Sequence, residues 1–404
     1  MALRHMLTHG GSGPVSGAPG RNPEARYTSN LTEPALSAEL HRRELHRREL
    51  HQRRRDIAAR LPGLKTDALL VTSPANVRYL SDFAGSNGII LLTPLETHFF
   101  TDPRYALTAR QNINGKVHIV KGPLIPAVAQ VIKRKRLKKI GFESGWTQYD
   151  AYLLLKESLP LGASLVPVAR IIEDRRMLKS PAEIATIRRS VNLNSKAYAR
   201  VLKRIRPGVS ELDVAAEIEF QMKMLGAEKP AFDTIVAAGP RSALPHAHPT
   251  AHRIGENQLV LIDMGASLEG YCSDMTRVIH LGKPPQRIRQ MYKAVLEAQL
   301  AGIAAVRAGI TADKVDAATR KVLKRHKLEK EFVHSTGHGL GLEIHEPPRL
   351  GKNGETRLEP GMAITIEPGA YVEGLAGIRI EDTVLVTQNG CEVLTPSSKE
   401  FITF

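Results

Sequence analysis

The distribution of apolar positions changes character near residue 55. Before it, apolar residues follow neither a helical nor a strand period, and the stretch 10–20 is rich in Gly, Ser and Pro with almost nothing that could form a core. After it, short apolar runs alternate with amphipathic stretches. Residues 68–71, 76–80 and 89–92 read as buried strands, 104–110 as a helical pattern, 117–120 as a strand, 125–135 as an amphipathic helix and 139–142 as a further strand. Strands alternating with helices predict a layered α/β domain.

A second texture begins at Ser180-Pro181-Ala182-Glu183. Ser at the cap, Pro at the first helical position and Glu at the third form a strong helix start. Ile184, Ile187, Val191, Tyr198 and Leu202 carry that helix to the stop at Pro207-Gly208. A second capped helix begins at Ser210-Glu211, and further helices are predicted over 285–306 and 312–326. Beyond residue 230 glycine-punctuated apolar runs dominate, at 234–237, 259–264, 278–281, 363–366, 379–382 and 384–387. Two helices followed by strands, twice over, predict an α+β domain of two similar halves around one curved sheet.

The pentapeptide His-Arg-Arg-Glu-Leu occurs in tandem at 41–45 and 46–50, followed by Arg53, Arg54 and Arg55. A period of five suits neither helix nor strand, but these residues favour helix locally, so a short solvated helix leading into the first domain is expected. The division predicted is a disordered basic extension at 1–55, an α/β domain at 56–172 and the α+β domain at 173–404. Met6 is a second candidate start. The formal net charge of +16 admits a polyanionic partner. Much of the excess, however, lies in 42–60 and in the cluster Lys133, Arg134, Lys135, Arg136, Lys138 and Lys139, which reads as the solvated end of a helix. No specific nucleic acid is therefore expected. Cys272 and Cys391 allow at most one disulfide and no thiolate metal site, which points to a reducing, cytoplasmic compartment. No run approaches the ~18 apolar residues of a membrane span, and the N-terminus lacks a signal-peptide pattern.

The informative chemistry is acid placed in strands. Asp263 interrupts the apolar run Leu259–Met264, and a buried carboxylate needs a partner. Eleven residues further on, beyond the turn Glu269-Gly270, a hairpin would return Asp274 beside it. Two neighbouring carboxylates repel unless a proton or cation lies between them, so the pair indicates a metal site or an acid/base dyad. His334, His338 and His345 crowd a glycine-rich segment in which Gly337 and Gly339 flank His338. Glu367 and Glu381 stand at the ends of further apolar runs. A single strand Asp is more often salt-bridged than metal-binding, but four such acids together with a histidine form a hard, oxygen-rich set suited to two divalent ions.

These motifs, in this order over residues 62–404, resemble the pita-bread metallopeptidases, the family of methionine aminopeptidase, aminopeptidase P and prolidase. Residues 62–170 are similar to the creatinase-type N-terminal domain of its proline-specific branch. The resemblance implies a pita-bread catalytic domain preceded by an α/β creatinase-type domain. It implies that Asp263 chelates one metal, Asp274 and Glu381 bridge two, and His338 with Glu367 completes the coordination of the second metal. The ions implied are Mn²⁺ first, with Co²⁺ or Zn²⁺ as alternatives. His246, His334, His345 and Arg379 match substrate-side residues, whereas His248 and His252 receive no role. The activity implied is attack of a metal-bridging hydroxide on the bond between an N-terminal residue and proline, in a dipeptide or a longer peptide, by a homodimeric enzyme. In that chemistry Glu367 moves the proton, and His246 and His345 donate to developing charge. Two alternatives stand beside it. One is a non-catalytic peptide- or nucleic-acid-binding module, and the other a creatinase-like amidinohydrolase; the full ligand set weighs against both.

Overall fold

The computed structural model describes residues 33–404; the expected disorder before residue 33 lies outside them. The chain enters through one helix, α1 (Glu33–Ala58), and the boundary between two compact units, 1–49 and 50–404, falls inside it. In the first unit Arg48 donates to Glu44 one turn back, at 3.0 Å and in solvent. The second unit begins with the buried residues Leu50, Arg53, Arg54 and Ile57, so the expected basic extension to residue 55 is corrected here. Arg53 Nη1 and Arg54 Nη1 donate to the carbonyls of Tyr79 and Leu80 at 3.0 and 2.7 Å. Those carbonyls belong to the last turn of α2 (Pro74–Ser81) and have no intrahelical donor, so the arginines cap a helix rather than face water.

The first domain follows as β1 (Ala68–Val71), α2, β2 (Gly88–Leu92), β3 (Thr97–Thr101), α3 (Ala106–Asn112), β4 (Lys116–Ile119), α4 (Leu124–Arg134), β5 (Lys139–Glu143), α5 (Tyr149–Ser158) and β6 (Ser164–Val168). Its sheet has the order β4-β3-β2-β1-β5-β6 and mixes parallel and antiparallel pairs. Both faces are covered, which is why these strands read as unbroken apolar runs. Leu69, Val71 and Phe99 pack on α1 and α2, whereas Ala68, Leu70 and Phe100 face Val128 and Ile132 of α4. The run 76–80 is helical rather than the expected strand. Ser73-Pro74 starts a helix there, and burial of Asn76, Val77, Tyr79 and Leu80 removes the polar face that would have marked its period.

The junction helix α6 (Glu173–Arg176) leads to α7 (Pro181–Leu202), whose capping box between Ser180 and Glu183 is formed. Then come α8 (Glu211–Met224), β7 (Lys229–Pro230), β8 (Ile235–Ala238), β9 (Leu259–Met264), β10 (Ala266–Leu268), β11 (Tyr271–Cys272) and β12 (Met275–His280). After α9 (Gln286–Ala305) and α10 (Ala312–Arg325) the strands are β13 (Gly337–Gly339), β14 (Glu346–Leu350), β15 (Ala363–Ile366), β16 (Gly369–Val372), β17 (Ala376–Arg379), β18 (Asp382–Val386), β19 (Cys391–Val393) and β20 (Ile402–Thr403). The single curved sheet expected is instead two main sheets, β20-β12-β9-β8 and β14-β13-β15-β18-β19. Helices α7 and α8 cover the first through Ala197, Ile218 and Met222, and α10 packs on the second through Val315. The sheets join where the expected strand 379–382 is broken. Glu381 N donates to the Thr276 carbonyl of β12 at 3.2 Å, and the fully buried Arg277 donates to Asp382 at 2.7 Å and to the Glu381 carbonyl at 2.5 Å. Among the described residues no helix is long and apolar enough to cross a membrane.

Candidate active site

A cavity of about 820 Å³ opens between the two sheets, and all nine sequence-predicted site residues line its wall. Asp263 sits near the end of β9, paired across the ladder with Ile235 and Thr276. Asp274 lies between β11 and β12, and the Glu269-Gly270 turn brings it back along β9. His338 is the middle residue of β13, a strand squeezed between β14 and β15. A Cβ on Gly337 would lie 2.0 Å from the Thr365 carbonyl and one on Gly339 2.2 Å from that of Pro347, so the flanking glycines are needed for this approach. Glu367 caps β15, its N–H donating to the Thr336 carbonyl at 2.8 Å, and Glu381 occupies the break between β17 and β18.

Asp274, His338 and Glu381 each offer a ligand atom within 4.8 Å of the others. His338 donates Nδ1–H to the Gly339 carbonyl at 3.0 Å, which turns Nε2 toward Glu367 Oε1 at 3.2 Å and Asp274 Oδ2 at 3.5 Å. Asp263 stands at the rim of this group, with Oδ2 accepting from Arg379 Nη2 at 2.5 Å. One oxygen each of Asp263, Asp274 and Glu381 is buried without any hydrogen-bond donor. Burial and the neighbouring carboxylates push the pKa values of Asp274 and Glu381 well above the usual carboxylate range. Glu367 is driven the other way, to about 2: burial raises its pKa, but the hydrogen bond from His338 together with the charges of His338 and Arg379 outweighs that. Donor-less buried oxygens on clustered carboxylates, with an imidazole nitrogen among them, suit divalent cations, so the donor set fits a metal centre.

A hydrogen-bonded chain supports this cluster from one side. Arg379 Nη1 donates to Tyr371 Oη at 2.7 Å, Tyr371 Oη donates to His334 Nε2 at 2.8 Å, and His334 Nδ1–H donates to the Ser335 carbonyl at 2.8 Å. Burial lowers the His334 pKa, in keeping with the neutral tautomer this chain requires. Arg379 Nε also donates to Thr276 Oγ1 at 3.1 Å, and that hydroxyl donates to Glu381 Oε2 at 2.7 Å. Arg379 therefore holds the loop that carries Glu381 rather than facing solvent. Tyr371, Thr276 and Arg349 escaped the sequence reading. Thr276 sits two residues past Asp274 in the same motif, whereas Tyr371 gains meaning only from the pairing of β16 with β17. Arg349 lies opposite His338 in the β13–β14 register, exposed on the cavity wall.

His345 stands edge-on to His338 with ring centroids 4.5 Å apart, and burial lowers its pKa. His246 follows Pro245, whose carbonyl accepts from Arg379 at 3.2 Å. Of the two histidines left without a role, His248 lines the cavity. His252 does not; its carbonyl accepts from Glu211 N–H at 3.0 Å.

Residues 185–388 match the metallopeptidase family M24, and residues 53–178 match the creatinase/prolidase N-terminal domain. The chain belongs to metallopeptidase family M24. Within this M24 peptidase the α/β unit is accordingly the creatinase-type domain and the α+β unit the pita-bread domain. It is 38% identical to an Xaa-Pro dipeptidase of Pyrococcus furiosus over 83% of this chain and 95% of that protein. Its fold superimposes on the Xaa-Pro dipeptidase from Bacillus anthracis with a TM-score of 0.85 at 38% identity, covering 88% of this chain and 100% of that one. It also resembles the X-Pro aminopeptidase from Thermotoga maritima, with a TM-score of 0.80 at 32% identity over 84% and 98% of the two chains.

Proposed function

We propose that this M24 peptidase hydrolyses the bond between an N-terminal residue and proline at a centre of two divalent ions, Mn²⁺ in first place. The observation that carries this reading is the gathering of Asp274, His338 and Glu381 ligand atoms within 4.8 Å of one another in the cavity wall, with one buried oxygen each of Asp263, Asp274 and Glu381 left without a donor. Asp263, Asp274, His338, Glu367 and Glu381 would hold the ions. When bound, such ions supply Lewis acidity that polarises the scissile carbonyl and acidifies the attacking water. Glu367 accepts a proton from that water and delivers it to the leaving nitrogen. His246 and His345 donate to the substrate backbone and to charge developing on the carbonyl oxygen.

Phe232, Ile235, Ile344 and Pro347 give the cavity an apolar flank suited to a proline ring. Arg349 offers an exposed cation for the free carboxylate of a dipeptide, which favours dipeptide substrates over longer ones. The two cysteines are free thiols, in keeping with a cytoplasmic enzyme.

The test is hydrolysis of Ala-Pro, Ala-Pro-Ala, Ala-Ala and Met-Ala-Ser by Mn²⁺-reconstituted protein. Ala-Pro should be cleaved fastest and Ala-Ala slower by orders of magnitude. Preference for Met-Ala-Ser would overturn the proline reading, and activity undiminished by chelation would overturn the metal reading.

A further inference from the structure

A buried ionic cluster lies outside the carboxylate centre. The junction between the domains delivers Arg176 and Lys179 against Glu346, and these three side chains are only 3%, 1% and 2% exposed. Arg176 Nη2 donates to Glu346 Oε1 at 2.5 Å and to Glu343 Oε2 at 2.7 Å, and Lys179 Nζ donates to Glu346 Oε2 at 3.1 Å. On its other side Arg176 Nη1 donates to Asn76 Oδ1 at 2.7 Å. Asn76 Nδ2 donates in turn to Glu143 Oε1 at 2.7 Å and to Glu173 Oε1 at 2.6 Å. Glu143 Oε2 accepts the N–H groups of Thr72 and Ser73 at 2.6 and 2.8 Å. Hydrogen bonds thus run unbroken from the sheet of the creatinase-type domain to the residue beside His345.

Stability alone does not explain such a cluster, since buried ion pairs are often no more stabilising than apolar packing of the same volume. What it provides is direction. Glu346 closes the segment 341–346: its carboxylate accepts the Glu343 N–H at 3.1 Å and lies 2.7 Å from where a Cβ on Gly341 would stand. The other end is tied by the Gly341 carbonyl, which accepts from Cys272 N–H at 2.7 Å. His345 projects from this segment into the cavity. His334 and His338 are each oriented by a ring hydrogen bond, whereas among the described residues the His345 ring has no such bond and stands edge-on to His338. Its aim is set by its backbone, and its backbone is held by Glu346.

We infer that Arg176, together with Lys179, is a positioning residue for the reaction: it fixes the 341–346 segment through Glu346, aims His345 at the substrate, and makes that aim depend on docking of the N-terminal domain through Asn76. This rests on the role proposed for His345, so the experiment separates the two. In the full-length, Mn²⁺-loaded protein, Arg176→Ala, Asn76→Leu and His345→Ala are measured singly, and each of the first two also in the His345→Ala background. Turnover of Ala-Pro, metal content and hydrogen exchange over 341–346 are read for each.

Arg176→Ala should keep its metals, lower kcat about 10- to 100-fold with little change in KM, speed exchange over 341–346, and regain turnover with added guanidinium. In the His345→Ala background the same substitution should cost less than about 2-fold. Asn76→Leu, which leaves the Arg176–Glu346 pair in place, should show a smaller loss with the same non-additivity. Equal fold losses in both backgrounds, or depletion of metal, would overturn the positioning role while sparing that of His345. Normal turnover by His345→Ala would overturn the His345 assignment, and this inference with it.

Discussion

Replacing Asp274 by Asn should raise the melting temperature without metal and abolish the further rise that metal gives. Without a cation the ligand atoms of Asp274 and Glu381 lie within 4.8 Å of each other. Two unit charges at that distance repel by about 3.5 kcal/mol at an effective dielectric constant of about 20. Partial protonation relieves some of this, since burial and its acidic neighbours raise the Asp274 pKa. Asn has no charge and an N–H to donate to the remaining carboxylates, so the metal-free variant should gain about 1–3 kcal/mol. The unit from Leu50 to Phe404 unfolds with an entropy of about 0.75 kcal/mol/K at the usual value per residue, which makes this a rise of about 1–4 °C in EDTA. In wild type, metal at about 100 times its Kd should add about 2.7 kcal/mol, or close to 4 °C. In Asp274→Asn that gain should vanish. Scanning calorimetry in EDTA and in Mn²⁺, with metal content measured on the same samples, reads both effects. A variant that melts below wild type in EDTA, or keeps the full Mn²⁺ gain, would show that Asp274 is not a ligand held against its neighbours' charge.

Removing residues 1–55 should cost about 3–6 kcal/mol, since it takes away buried Leu50 and the two arginines capping α2. Calorimetry of this truncation reads the loss, and an unchanged melting point would refute the capping role. Arg349→Ala should raise KM for Ala-Pro about 10-fold or more and affect Ala-Pro-Ala less, a difference that steady-state kinetics detects. Lys179 and Arg176 overcome the cost of burial and hold the Glu346 pKa below its unfolded value. Its stabilisation is therefore complete above the unfolded value of about 4.5 and is lost as pH falls through the lower folded value. Urea titrations from pH 7 to pH 3 should accordingly find Glu346→Gln about 3–5 kcal/mol weaker at pH 7, with a shallower acid decline than wild type.

Much of the fold was legible because the signals are local. The Ser180 capping box, and strands such as Leu259–Met264 and Ala363–Ile366, depend on residues only a few positions apart, and the structure places them where the patterns do. The run 76–80 misled because burial on every side erases a helical period, and the Arg53–Arg54 stretch misled because its charge suggested water where carbonyls were waiting. Candidate site chemistry was legible for a related reason: an acid inside an apolar strand, or a histidine between two glycines, violates the local pattern and marks itself.

Partners were not legible. Asp263 meets Arg379 across 116 positions, Arg176 meets Glu346 across 170, and Tyr371 acquires its place between Arg379 and His334 only when β16 pairs with β17. A buried charge or hydroxyl interacts through space in a medium of low dielectric constant, where an ångström matters and chain separation does not. The order of residues therefore determined which elements form and which side chains carry the chemistry. Only the packing of two sheets and a junction helix decided which of those side chains face one another.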